Sequence, residues 1–182
     1  MKSGKVKKIV ALVGASATGK STVEQILEKD YGMKRAVSCT TRPQREYEVD
    51  GVHYRFLTDD DVRALRRANE LAEYSEFNGW KYCLTDEELK NSNLVVVEPH
   101  GLKQIIDNFG RENIFVVYLI YPDKDRLIRS LVARNDNDVD EVIRRFQADK
   151  RDMEGMEWLA DVTIVNHNSE ETANLIYKMV GM

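Results

Sequence analysis

The run Gly14-Ala15-Ser16-Ala17-Thr18-Gly19-Lys20-Ser21 satisfies G-x-x-x-x-G-K-[ST] at every fixed position. Each fixed position has a chemical reason. Gly14 and Gly19 admit backbone conformations denied to other residues, so successive N–H groups turn inward as an anion nest. A helix starting near Gly19 adds its positive N-terminal end. Lys20 supplies a mobile cation for terminal phosphates, and Ser21, followed by a second hydroxyl at Thr22, supplies an oxygen for Mg2+. The pattern alone recurs by chance in Gly/Ser turns. Strand before and helix after is the context that gives it meaning.

That context is present. Residues 8–13 (KIVALV) read as a short buried strand ended by Gly14, and Val23, Ile26 and Leu27 have helical spacing within a predicted helix over 20–29. Further along, strands are predicted over 33–39 and near 52–56, with a helix from a Thr58 cap to about Asn69. A hairpin over 73–82 turns at Asn78-Gly79. Buried strands follow at 94–98 and 114–121, with a helix over 102–109 between them. Helices are predicted at 123–133 and, strongly charged, at 139–154. The last strand is 162–165, and a helix over 169–180 opens on a Ser-x-x-Thr cap at Ser169. Strands alternating with helices at both ends predict an α/β protein with a parallel sheet, interrupted by a polar insertion.

Composition narrows the classes. The 182 residues suit one compact unit with small insertions. No stretch approaches the roughly 18–20 apolar residues that span a bilayer. With 27 Lys plus Arg against 31 Asp plus Glu, the net charge of −4 argues against a protein that coats nucleic acid. An anionic ligand therefore requires locally gathered cations. Cys39 and Cys83 lie far apart and form no CxxC, so spacing suggests neither zinc nor a disulfide framework. The expectation is a cytoplasmic protein from a reducing compartment, with no membrane or nucleic-acid partner.

Beyond the loop, Ser38-Cys39-Thr40-Thr41-Arg42-Pro43-x-Arg45 and then Glu48-Val49-Asp50-Gly51-Val52-His53-Tyr54-x-Phe56 resemble the guanylate kinase family. That family follows its phosphate loop with S-x-T-T-R-x-x-R and G-x-x-Y-x-F. The likeness continues through Glu70-Leu71-x-Glu73-Tyr74-x-Glu76-Phe77-x-Gly79 and Tyr82 to Arg134, Arg145 and Val165-Asn166. The resemblance implies a P-loop NTPase-type core with a five-stranded parallel sheet flanked by helices, at 1–36, 91–122 and 153–182. It also implies a mixed α+β monophosphate-binding insertion at 37–90 and a helical lid at 123–152.

The resemblance further implies phosphorylation of GMP or dGMP by ATP with Mg2+, in a monomer or homodimer. Gly14, Ala15, Ser16, Ala17, Thr18, Gly19, Lys20, Ser21 and Thr22 would hold ATP, with Ser21 on the metal and Asn166 near adenine. Ser38, Arg42, Arg45, Tyr54 and Tyr82 would surround the monophosphate, as guanidinium forks and hydroxyls suit a dianion. Glu73 would accept from N1 and the 2-amino group of guanine, and Glu98 would lie on the same substrate side. Lys20, Arg42, Arg134 and Arg145 would neutralise charge during transfer. Without the motif, Arg42 and Arg45 are ordinary loop cations and Glu73 a solubilising strand-edge charge. Arg144, Arg145, Lys150 and Arg151 then read as a wet helix face.

The chain departs from the family pattern in three places. Leu84 stands where a hydroxyl meets guanine O6, with Thr85 one residue on. Val96 replaces the first carboxylate of [DE]-[IV]-D-x-x-G, while the second survives as Glu98. Ser130 replaces a lid arginine. These changes touch the base pocket and the charge clamp and leave the phosphate loop whole. They keep two alternatives open: a related kinase acting on another nucleotide or a phosphorylated ribose, and a non-catalytic module that binds phosphopeptides through Arg42 and Arg45.

Overall fold

In the computed structural model of the chain, residues 9–123, 147 and 151–181 are described. Strand β1, Ile9–Val13, is buried along its whole length and forms the centre of the molecule. It pairs in parallel with β6 (Leu94–Val96) on one side and β7 (Ile114–Ile120) on the other, and β7 pairs in parallel with β8 (Val162–Val165). The order β6-β1-β7-β8 is all parallel. Both faces are covered, so the inner strands are continuous apolar runs and do not alternate with polar residues.

The two faces are read off β1 itself. Val10 and Leu12 pack with Val23 and Leu27 of α1 (Lys20–Tyr31) and with Ala173 and Ile176 of the helix Ser169–Val180. Ala11 and Val13 pack with Leu102 and Ile105 of the helix Pro99–Phe109 and with Met153 and Met156. Burying one Leu or Ile of this kind contributes about 1.5–3 kcal/mol. The α/β core flanked by helices agrees with the expected fold class.

A second sheet of order β3-β2-β5-β4 lies beside the core. It contains β2 (Cys39–Thr40), β3 (Arg55–Phe56), β4 (Leu71–Phe77) and β5 (Trp80–Thr85). The hairpin turns where predicted: Asn78 (φ 51°) and Gly79 (φ 79°) both take the positive φ that a two-residue turn of this twist needs. Helix α2, Asp59–Ala68, starts at a complete Thr58–Asp61 capping box and ends on Asn69, and its Val62 packs under the sheet against Cys39 and Cys83.

The outer edge of β4 is sealed by side chains of α4, Pro99–Phe109. Gln104 accepts from Tyr74 N (3.0 Å) and donates to Tyr74 O (2.9 Å), and Asn108 donates to Ala72 O (3.2 Å). These amides replace a missing neighbouring strand and tie the second sheet to the core.

Several expectations need correction. The strand predicted over 33–39 is a single parallel bridge between Arg35 and Leu94; the chain then leaves the core sheet and reappears as β2. Val37 N donates to Glu88 Oε1 (3.2 Å) and not to a strand neighbour, which ends the ladder. Among the described residues the parallel sheet therefore has four strands and that bridge, in place of five strands. The cap of the last helix is Asn168, whose side chain accepts from Glu170 N (2.8 Å) and Glu171 N (3.3 Å), and not Ser169.

Helices α3 (Asp86–Lys90) and α5 (Met156–Leu159) and a 3-10 turn (Arg111–Asn113) were not expected, being too short to show a period. The last helix, Ser169–Val180, is α6. The helix predicted over 123–133 and most of that over 139–154 lie outside the described residues. No helix among the described residues is long and apolar enough to cross a membrane.

Candidate active site

The loop between β1 and α1 has the backbone its glycines require. A Cβ on Gly14 would strike the Leu119 carbonyl and stand 2.8 Å from Thr18 Oγ1, so β1 can approach β7 this closely only with glycine there. Ala17 (φ 62°) and Gly19 (φ 90°) take left-handed conformations, while Thr18 Oγ1 closes the turn onto Ala15 O (2.9 Å). Lys20 Nζ donates to Gly14 O (2.5 Å) and Ala15 O (3.0 Å), which lays the ammonium across the loop.

Asn166 holds the loop from behind. It is buried, with Nδ2 on Thr18 O (2.9 Å) and Ser169 Oγ (3.4 Å), and its Oδ1 accepts from Thr172 Oγ1 (3.0 Å). Both ends of this amide are engaged with the protein, and its Nδ2 lies where any Gly19 side chain would go.

A cleft of about 1250 Å³ opens in front of the loop. Ser16, Ala17, Gly19, Lys20 and Ser21 of the loop line it together with Ser38, Arg45, Tyr54, Tyr82, Glu73 and Glu98. Gly14, Ala15 and Thr18 build the loop without lining this cleft, and Thr22 is exposed on α1. Arg134 and Arg145 lie outside the described residues.

Arg42 stands behind the lining. Its guanidinium is bidentate on Glu48 (Nη2–Oε1 2.7 Å, Nη1–Oε2 3.1 Å) and lies over the Tyr54 ring at 5.6 Å. Glu48 is buried; the Arg42 hydrogen bond, aided by that from Arg45 N (2.8 Å), holds its carboxyl below the usual carboxylate range. Glu48 therefore sets both arginines, one through its side chain and one through its backbone. Sequence reasoning quoted it in the motif and assigned it no role; the signal was a carboxylate six residues from Arg42 in a segment with little else to bury. Tyr47, hydrogen-bonded to Arg45 Nη1 (2.8 Å), and Asp152 also border the cleft and were missed. Burial raises the Tyr54 hydroxyl above its ordinary value, so it remains a neutral donor, edge-on to Tyr82 at 6.1 Å between ring centres.

Glu73 of β4 also lines the cleft. Burial, reinforced by the charge of Glu98, pushes its carboxyl up to about 7. It lies against the first turn of α4: a Cβ on Gly101 would come within 2.6 Å of Glu73 Cδ and 2.7 Å of Oε1. Leu84 is its cross-strand partner and is fully buried. Thr85 is already used, because its hydroxyl caps α3 by accepting from Glu88 N (3.2 Å).

One cleft thus joins an anion nest, a cluster of arginine and tyrosine, and a half-buried carboxylate. Residues 6–181 match the family model described as guanylate kinase. The chain belongs to the guanylate kinase family.

Relatives span its whole length. A guanylate kinase of Mycoplasmoides gallisepticum is 33% identical over 187 aligned positions, covering 98% of this chain and 94% of that protein. One from Prochlorococcus marinus is 30% identical over 181, covering 96% and 97%. The solved guanylate kinase of Anaplasma phagocytophilum shares the fold, with a TM-score of 0.73 at 23% identity over 96% of this chain and 85% of that one. As a guanylate kinase family member the chain is a nucleoside monophosphate kinase. Leu84 faces Glu73 across the hairpin but is buried in the core and does not line the cleft, whereas Val96 lines it from the strand beside β1, opposite Leu12.

Proposed function

We propose that the chain transfers the γ-phosphoryl group of ATP to GMP or dGMP, with the loop at 14–21 holding ATP and the second sheet holding the monophosphate. The carrying observation is that Lys20, Arg45, Tyr54, Tyr82 and Glu73 all line one cleft. That set offers a partner for a donor phosphate, for an acceptor phosphate and for a base. Reading 37–90 as the acceptor unit and 123–152 as a lid is part of the same proposal.

Little covalent chemistry is asked of the protein; positioning and charge neutralisation do most of the work. The nest and Lys20 hold the donor phosphates. Arg45, Ser38, Tyr54 and Tyr82 hold the acceptor phosphate, and Arg42, fixed by Glu48, lies behind them and supports their positive field. Glu73, as a carboxylate, accepts from the two adjacent donors of guanine, a pair that adenine does not present. In the same reading Arg134 and Arg145, which lie outside the described residues, would complete the cation set. Asn166 keeps the nest in shape.

The donor set suits Mg2+ brought in on ATP, since this ion keeps several waters and needs few protein oxygens; Ser21 would hold it, and it would neutralise phosphate charge when bound. The cleft is built within one chain, which supports activity as a monomer or in each half of a homodimer. Two buried free cysteines suit a cytoplasmic location.

The test is ADP release in the presence of GMP, dGMP, AMP, UMP and ribose phosphates. Turnover with GMP and dGMP at least a hundredfold above the others is expected. Preference for another acceptor would replace this reading with a related kinase, and ATP binding without transfer would favour the phosphopeptide module.

A further inference from the structure

Guanine presents O6, N1–H and the 2-amino group along one edge, one acceptor beside two donors. An ionised carboxylate only accepts, so Glu73 can serve N1 and N2 and leaves O6 unmet. An unmet acceptor in a closed cleft weakens binding, so the base end needs a hydrogen-bond donor close to Glu73.

The described residues narrow the choice. Directly across from Glu73, Leu84 has no donor and is packed into the core. The Thr85 hydroxyl is the cap of α3. The Cys83 thiol is engaged with Cys39, its partner across β2 and β5. Tyr82 stacks edge-on against Tyr54, towards the arginines.

Two side-chain donors remain, His100 at the start of α4 and Ser75, and only Ser75 stands on the strand that carries Glu73. Residues two apart on a strand share a face and stand about 6.5 Å apart. The register is regular from Glu73 onward, Glu73 facing Leu84 and Ser75 facing Tyr82, so Ser75 follows Glu73 on the same face. Ser75 borders the same cleft, and its hydroxyl carries no hydrogen bond among the described residues. We propose that Ser75 is a base-reading residue, its hydroxyl donating to guanine O6 while Glu73 accepts from N1 and N2. A purine edge would then be read by two neighbouring side chains of one strand, and not across the hairpin.

This rests on the GMP kinase reading, and the experiment separates the two. Initial rates are measured for the full chain with GMP, IMP and 6-thio-GMP, whose sulfur is a poor acceptor. Ser75→Ala, Ser75→Thr and His100→Ala are compared with wild type, because His100 is the other donor on that rim of the cleft. Ser75→Ala is expected to lower kcat/KM for GMP about five- to tenfold, as one lost hydrogen bond does. It should change 6-thio-GMP less than twofold and leave the GMP-to-IMP ratio, the KM for ATP and the Tm unchanged, and Ser75→Thr should restore GMP. Equal loss for GMP and 6-thio-GMP, no loss at all, or loss of the discrimination only in His100→Ala would overturn the assignment. No GMP turnover in the wild type would overturn the kinase reading along with it.

Discussion

The side-chain amide of Asn166 donates to the carbonyl of Thr18 at 2.9 Å, joining two residues 148 positions apart. The C-terminal part of the chain thereby holds the phosphate loop in shape. Asn166→Ala would leave the Thr18 carbonyl and the Thr172 hydroxyl without this buried partner. We expect a stability loss of about 1–3 kcal/mol, read by denaturant titration, together with weaker ATP binding. ATP affinity equal to wild type in the variant would show that the loop holds itself.

Glu48 is expected to matter more for the acceptor than for the donor. Glu48→Gln keeps the size of the side chain and removes the charge that fixes Arg42. With the arginines loosened, KM for the monophosphate should rise roughly ten- to hundredfold, since small misplacements cost this much. KM for ATP should stay within twofold. A parallel rise in both would mean that Glu48 supports the whole fold and not the acceptor side.

Glu73 makes base recognition depend on pH. Its carboxyl is raised to about 7 by burial and by Glu98, and only the ionised form accepts two hydrogen bonds. Below that point kcat/KM for GMP should fall about tenfold per pH unit, and above it the curve should level. The phosphate of GMP titrates near 6 and gives its own break. Glu98→Gln removes one cause of the upward shift, so the higher break should move down while the phosphate break stays. A break unmoved by that substitution would sink the pairing of these carboxylates.

The same raised carboxyl affects stability. The folded state holds this proton more tightly than the unfolded chain, so its stabilising contribution is complete at low pH and is lost as pH rises towards and through 7. Glu73→Gln should therefore melt higher than wild type at pH 8 and show no such advantage at pH 4.

Gly101→Ala tests the contact between α4 and Glu73. Alanine favours a helix over glycine by about 1 kcal/mol, so propensity alone predicts a more stable protein. The added methyl would sit 2.6 Å from Glu73 Cδ and 2.7 Å from Val97 Cγ2. We expect the clash to prevail, with GMP turnover falling at least tenfold and ATP binding unchanged.

Much of this was legible in the amino-acid sequence because its causes are local. The loop at 14–21, the Thr58 cap and the Asn78-Gly79 turn each follow from a few adjacent residues. What was not legible depends, apart from the cap of α6, on partners distant in sequence. Asn168 and not Ser169 caps α6 because its oxygen reaches both Glu170 N and Glu171 N, a matter of one residue's geometry. The strand predicted at 33–39 fails because Glu88, some fifty positions away, takes the Val37 N–H. The service of Glu48 to Arg42 and of Asn166 to Thr18 needed the folded chain for the same reason.

Gln104 and Asn108 fasten α4 to β4, the strand that carries Glu73 and Ser75. The helix that completes the core is thus also the splint of a strand that lines the cleft. In evolutionary terms the two are a single inheritance. A change on the exposed face of α2 leaves the cleft lining untouched, whereas a change at Gln104 loosens the helix and the cleft-lining strand together.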